Sequence, residues 1–252
     1  MRAPGPGVPE VPGRLLPVSD YLCDIRKMVQ TAVATSLTEQ VYASIRSDII
    51  TGKHQPGEHL RLATLAKRYE VSAAVIREAL IRLAERHLLV LAPNQGFRVV
   101  QISRQDLIDL TGVRILLDGL ALRQSIERGD MDWEARVVST HHILDRTPFL
   151  SEDGAGSTDE WAAAHNVFHE ALSAGCGNQR LIQMTLLLRD SSELYRQLSA
   201  KVPGTESKRD VACEHRTIME AAVARKADEA VEALEKHFQL TTDLLLAHVL
   251  TD

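Results

Sequence analysis

Between residues 37 and 51 apolar side chains recur at Val41, Ile45, Ile49 and Ile50. That three-and-four spacing describes a helix with one buried face, and Gly52 ends it. Gln55-Pro56-Gly57 makes a turn, after which Leu62, Leu65 and Ala66 predict a second short helix over residues 61–70. The stretch VSAAVIREAL opens a third helix, about residues 73–87, with Ser72 as N-cap and Val75, Ile76, Ala79 and Leu80 on one face. Residues 88–91 are apolar and strand-like, Pro93-Asn94-Gln95-Gly96 is a turn signal, and residues 97–100 form the return strand. Helix, helix, tight turn, helix and hairpin in this order make a winged helix-turn-helix.

After Ser103 only helical periodicity remains. Residues 106–128 place Leu107, Leu110, Val113, Leu117, Leu120 and Ile126 on one side. Further helices are expected at 133–144, 159–172, 180–198, 208–224 and 228–249, with a Gly/Ser/acid loop at 151–158 and a break at Val202-Pro203-Gly204. The expected fold class is therefore mainly α, a winged helix-turn-helix followed by an all-α antiparallel bundle of six to seven helices. Residues 1–35 precede both: five prolines among the first 19 predict disorder, with a short helix at 21–33. The domain boundaries predicted are 1–35, 36–102 and 103–252.

Charge divides the chain along the same line. Residues 36–100 hold nine Lys and Arg against six Asp and Glu, whereas residues 101–252 hold sixteen against twenty-five. A mildly basic head thus precedes an acidic bundle, which the overall charge of −5 conceals. Aromatic residues are only 4% of the chain, so the core has to be mostly aliphatic. No apolar run is long enough for a membrane span, and the N-terminus lacks the apolar centre of a secretory signal. Cys23, Cys176 and Cys213 are odd in number and form no paired motif, which predicts reduced thiols in a cytoplasmic protein.

The second helix of a helix-turn-helix enters the DNA major groove by its N-terminal end. Ser72, Ala73, Ala74 and Arg77 would sit there, with Arg77 able to bond a guanine or clamp a phosphate. Arg61, Lys67 and Arg68 on the preceding helix, and Arg82 further along the third, are candidate phosphate contacts. The tip Asn94-Gln95-Gly96 is small and polar, as a minor-groove wing requires. From pattern alone, a small helical subdomain with an exposed charged face remains the alternative.

Pro56-Gly57-Glu58, Leu60, Leu65-Ala66, Val71-Ser72, Arg77-Glu78-Ala79-Leu80, Arg82-Leu83-Ala84 and Gly96-Phe97 together resemble the DNA-binding domain of the GntR superfamily of bacterial transcription regulators. The resemblance implies that VSAAVIREAL holds the recognition helix and that Ser72, Arg77 and Gly96 are contact positions. It also departs from the family, which usually has Arg, Thr and Pro where this chain has Ala73, Ala74 and Val75. Apolar side chains at those places can meet thymine methyls, so a different operator is expected.

Ten histidines are present. His54, His59, His87 and His248 read as surface or boundary residues, and the neighbours His141 and His142 point to different sides of one helix. His165 and His169 are four apart, so they share a face and can hold one metal ion. His215 and His237 lie on later helices among apolar neighbours, and a bundle core is where such side chains converge. Each taken alone is more often a hydrogen-bonded core or surface histidine. Residues 104–249 resemble the FCD type of effector domain, carried by Val167-Phe168-His169, Gly177-Asn178, Glu214-His215 with Ile218, and His237. In that family an Asp and three His bind a divalent metal at the base of an effector pocket. Here the Asp position is His165, which implies a four-nitrogen set, His165, His169, His215 and His237. Losing the carboxylate favours zinc or nickel over manganese or magnesium.

Arg114 matches an Arg in the first effector-domain helix of the family and implies a contact to a small organic acid. The competing reading is an Arg114–Asp118 pair on the helix surface. Glu170 and Glu214 neighbour candidate ligands, but the chain has no metalloprotease motif, nucleophile elbow or phosphate loop. The expectation is a regulator and not an enzyme: a homodimeric repressor that binds a pseudo-palindromic DNA operator and is released by a metabolite. A DNA-binding module without metal or effector and a metal-dependent hydrolase are the alternatives.

Overall fold

The computed structural model describes residues 36–92, 96–150, 156–202 and 209–250. The expected helix at 21–33 and the wing residues Asn94 and Gln95 lie outside them. The head opens with α1 (Leu37–Ile50), capped by Ser36, whose hydroxyl accepts from the Glu39 amide. Strand β1 (His59–Leu60) leads to α2 (Leu62–Arg68), and α3 (Ala73–Glu85) follows a tight turn. Glu70 in that turn takes φ 55°, the left-handed conformation that closes a helix, and the Val71 amide bonds back to the Ala66 carbonyl. Strands β2 (Leu89–Ala92) and β3 (Gly96–Val99) complete an antiparallel sheet ordered β1-β3-β2. β1 has no counterpart in the sequence reading. Two residues are too few to show alternation, and the strand exists because Leu60 pairs with Phe97 in sequence-distant β3.

Ile45, Ile49, Leu60, Ile76, Leu80, Leu83, Phe97 and Val99 form the head core, each at most 4% exposed. Ile76, Ala79 and Leu80 face it, which leaves Ser72, Ala73, Ala74 and Arg77 on the outside of α3. His54, expected near the surface, is buried, and its Nδ1 lies 2.9 Å from Glu58.

Seven helices follow among the described residues: α4 (Arg104–Arg128), α5 (Met131–Arg146), α6 (Asp159–Ala174), α7 (Gln179–Ser191), α8 (Glu193–Ala200), α9 (Val211–Val223) and α10 (Ala227–His248). α4 packs against α10, α7 and α6, and α9 bridges α10 to α5. The single helix expected at 180–198 is interrupted at Ser192. Ser191 and Ser192 each turn the hydroxyl back onto the preceding turn, to the carbonyls of Leu187 and Arg189, a pattern that bends helices. α9 starts at Val211, later than expected, because Asp210 caps the Cys213 amide. An isolated bridge between Leu150 and Ser157 is the one extended pairing in the described bundle, where no strand was expected.

Asp48 joins the first two helices of the head. Its carboxylate accepts from Lys53 at 2.9 Å, Arg68 at 2.7 Å and the Tyr69 hydroxyl at 2.8 Å. Burial raises its pKa, but the hydrogen bonds from Lys53 and Tyr69 and the charge of Arg68 outweigh that and hold it below the ordinary 3.8. A depressed carboxyl pKa adds stability above the ordinary value and loses it as pH falls through the folded one. Asp48→Asn should therefore cost about 1–2 kcal/mol at neutral pH, because Arg68 and Lys53 lose a charged acceptor. In urea titrations the gap between wild type and variant should be full above pH 3.8 and close below it.

Candidate metal centre and nucleic-acid interface

His165 and His169 lie one turn apart on α6, His215 in the second turn of α9, and His237 midway along α10. The bundle brings all four to one point. Each offers a ring nitrogen, and the four nitrogens lie within 4.8 Å of one another. All four residues are at most 5% exposed. Ring centroids are 4.4 Å apart for His165 and His169 and 4.6 Å for His215 and His237. Trp161 stacks on His165 at 4.7 Å, and Phe168 lies edge-on to His215.

Burial pushes the pKa of His165, His169 and His215 well below the ordinary 6.5, and their cationic neighbours add to it. The cluster is thus a set of neutral imidazoles. Nδ1 of His165 and Nε2 of His169 and of His215 have no hydrogen-bond partner among the described residues. Each such buried polar atom costs about 1–3 kcal/mol. Neutral nitrogens gathered in a buried cluster are a ligand set for a soft or borderline divalent cation, so the residues fit the metal that the resemblance implies.

His237 is held differently. Its Nδ1 lies 2.7 Å from Glu214 Oε2. Burial raises the Glu214 pKa, but the hydrogen bonds from Arg209 and His237 prevail and hold it at about 2. An ionised carboxylate can only accept, so Nδ1 carries the proton and Nε2 is left for coordination. Arg209 fixes Glu214 by two bonds, Nε to Oε1 at 2.7 Å and Nη2 to Oε2 at 2.6 Å. Both oxygens of this carboxylate are thereby engaged.

Arg114 does pair with Asp118, at 3.1 Å, but the pair is buried in the bundle and not on the helix surface where the competing reading put it. Its guanidinium also lies 3.8 Å from the Phe238 ring and donates to Ser192. It lines a cavity of about 30 Å³ with His165, Tyr195, Arg196 and His237. A larger cleft, about 410 Å³, reaches His215 from the other side of Trp161, between His141, Asp145 and Arg209. Sequence reasoning missed Arg189 and Arg196. Seven apart, they fall on one helical face, a spacing that was available, but the interruption at Ser192 decides where they point. Of the adjacent pair, His141 is buried and His142 exposed, as expected.

On the head, Ser72 caps α3 by accepting from the Val75 amide at 3.4 Å, and Ala73 and Arg77 are exposed beside it. Arg61, Lys67 and Arg77 have no ion pair among the described residues and face solvent. Arg82 is held by Glu39 at 2.8 Å and lies over the Tyr42 ring, and Arg68 is held by Asp48. Gly96 begins β3 with φ +81°, a conformation that favours glycine.

Residues 37–99 match the model of the bacterial regulatory proteins of the gntR family, and residues 109–240 match the FCD domain. The chain is a GntR-family transcription regulator with an FCD domain. This GntR regulator is 36% identical over 215 residues to the HTH-type transcriptional regulator BphR of Paraburkholderia xenovorans, covering 84% of the chain and 86% of that protein. It is 33% identical over 198 residues to the HTH-type transcriptional repressor GlaR of Escherichia coli, covering 78% and 90%. Its fold superposes on E. coli McbR/YncC with a TM-score of 0.67 at 20% identity, over 84% of the chain and 98% of that structure. The relatives are DNA-binding regulators and not enzymes. FCD domains are commonly metal-binding, and the regulator's four histidines form a group that can hold an ion.

If Glu214 orients His237 for coordination, Glu214→Gln should lower zinc affinity by about 10- to 100-fold, the usual penalty for losing such a carboxylate. Competition with a colorimetric chelator measures it. An affinity within twofold of wild type would remove Glu214 from the site.

Proposed function

We propose that this regulator is a homodimeric, metabolite-responsive repressor whose effector domain holds zinc or nickel through His165, His169, His215 and His237. The observation that carries the reading is the buried imidazole cluster with three unpartnered nitrogens. A bound ion supplies a coordination point for a small carboxylate. The chain's own residues supply the rest. Trp161 and Phe168 pack against the rings, Glu214 fixes His237, and Arg114 and Arg196 set a positive wall facing the histidines. An all-imidazole set leaves the ion's charge uncompensated, which favours an anionic effector. The repressor sign rests on the likeness to GlaR, named as a repressor.

The winged helix-turn-helix, residues 36–102, reads the operator through Ser72, Ala73 and Arg77 in the major groove, with Arg61 and Arg82 toward phosphates and the wing at Asn94, Gln95 and Gly96. Residues 103–252 bind effector and dimerise. On α4, Ile108, Val113, Leu116 and Leu120 are exposed at 44%, 42%, 71% and 45%. Their spacing makes an apolar stripe, which suits the matching stripe of a second copy. No described helix is long and apolar enough to cross a membrane, which agrees with a cytoplasmic site of action.

Protein purified without chelator should carry about one zinc or nickel per chain by elemental mass spectrometry, and His169→Ala should lose it. No uptake by wild type, even after zinc or nickel is added, would end the metal reading. Arg77→Ala should weaken operator binding by about 1–3 kcal/mol with the fold intact, as loss of a bidentate base contact does. An unchanged titration at fixed salt would displace Arg77 from the interface. Leu116→Glu should shift the protein from dimer to monomer in sedimentation velocity. A dimer of wild-type affinity would rule out this stripe.

A further inference from the structure

The interruption at Ser192 places one short helix in contact with both halves of the molecule. Toward the head, the Glu193 carboxylate, 3% exposed, pairs with Arg46 of α1. Leu194 is 6% exposed and belongs to the apolar core of the head. Asp190, just before the break, pairs with Arg86 beyond the end of α3 at 2.6 Å, and Lys201 donates to the Thr51 carbonyl. Tyr195 meets the chain that joins the two halves, bonding Asp106 at 2.6 Å and accepting from the Ser103 amide.

The same segment is tied to the helix that carries two of the histidines. Arg196 Nη2 donates to Asn166 Oδ1 at 3.0 Å, one residue from His165. Arg189 Nη2 donates to the carbonyl of His169 at 3.2 Å. Arg196 Nη1 donates to the Arg189 carbonyl and to Ser192 Oγ, and Arg114 donates to the same hydroxyl. Ser192 is therefore the junction of three arginines. A shift of α6 at His165 or His169 pulls on Arg196 and Arg189, and Glu193 and Leu194 lie within one turn of that junction. Buried, interlocked side chains transmit such a shift because a packed core has few intermediate arrangements.

We propose that the segment Ser192–Ala200 couples occupancy of the histidine site to the docking of the DNA-binding head. The inference rests on the reading that the four histidines hold a metal ion. Arg196 and Arg189 are its positioning residues on the metal side, and Glu193 and Leu194 on the head side. By linkage, whatever tightens the head on α8 also tightens the metal site, and the reverse holds.

Hydrogen exchange of the full chain, read by mass spectrometry with and without zinc ion, tests this. Zinc content is measured on the same samples. In wild type, zinc should slow exchange in α6 and also in α1 of the head, the latter on the order of fivefold or more, the lower end of typical coupling between sites. Leu194→Ala and Arg46→Gln should keep one zinc per chain and the slowing in α6, and lose the slowing in α1. Arg46→Gln leaves the apolar contact in place, so it stays informative if Leu194→Ala loosens the head. Zinc uptake with slowing confined to α6 in wild type would overturn the coupling and leave the metal site standing. Slowing of α1 that survives in both variants would overturn it as well. No zinc uptake by wild type would overturn the metal reading, and the coupling with it.

Discussion

Four imidazoles buried in a bundle core carry a cost until something takes up their lone pairs. Nearly every feature around them follows from that constraint. Burial keeps the rings neutral, so they cannot escape by protonation. Trp161 and Phe168 pack against the rings, and Glu214, held by Arg209, takes up Nδ1 of His237. The distant α6 must pack against the consecutive pair α9 and α10 in one register for the nitrogens to meet. The site is therefore also a test of whether α6, α9 and α10 have assembled correctly.

The head depends on a similar economy at smaller scale. Three helices and a three-stranded sheet of short strands leave little core, and Asp48 supplies a polar clasp between α1 and α2. Leu194 extends that core with a residue from the bundle. The head is thus completed by a piece of the domain it answers to.

Much of this was legible in the sequence, and the reasons differ by element. The 3.6-residue periodicity of α1, α3 and α10 is set by one-sided burial, whereas on α4 Val113 and Leu120, expected on one side with Leu107 and Ile126, are exposed. The histidine pair at four-residue spacing gave half the site, since spacing within one helix is geometry. Its convergence with His215 and His237 is a matter of tertiary packing, reached through the family's pattern. Strand β1 and the break at Ser192 were not legible, because one is made by a distant partner and the other by serine hydroxyls turned back on a continuous helical pattern. Arg114 shows the limit most directly. Its pairing with Asp118 follows from spacing, but its place inside the bundle, over Phe238, depends on α10.

The face of α3 proposed to read DNA has a consequence for salt dependence. Its first turn is alanine and valine where arginine and threonine are usual in the family, and two nearby arginines are bound within the head by Asp48 and Glu39. Few cations are left to displace counterions from DNA, and the steepness of salt dependence scales with their number. If α3 reads the operator as proposed, occupancy would vary gently with ionic strength.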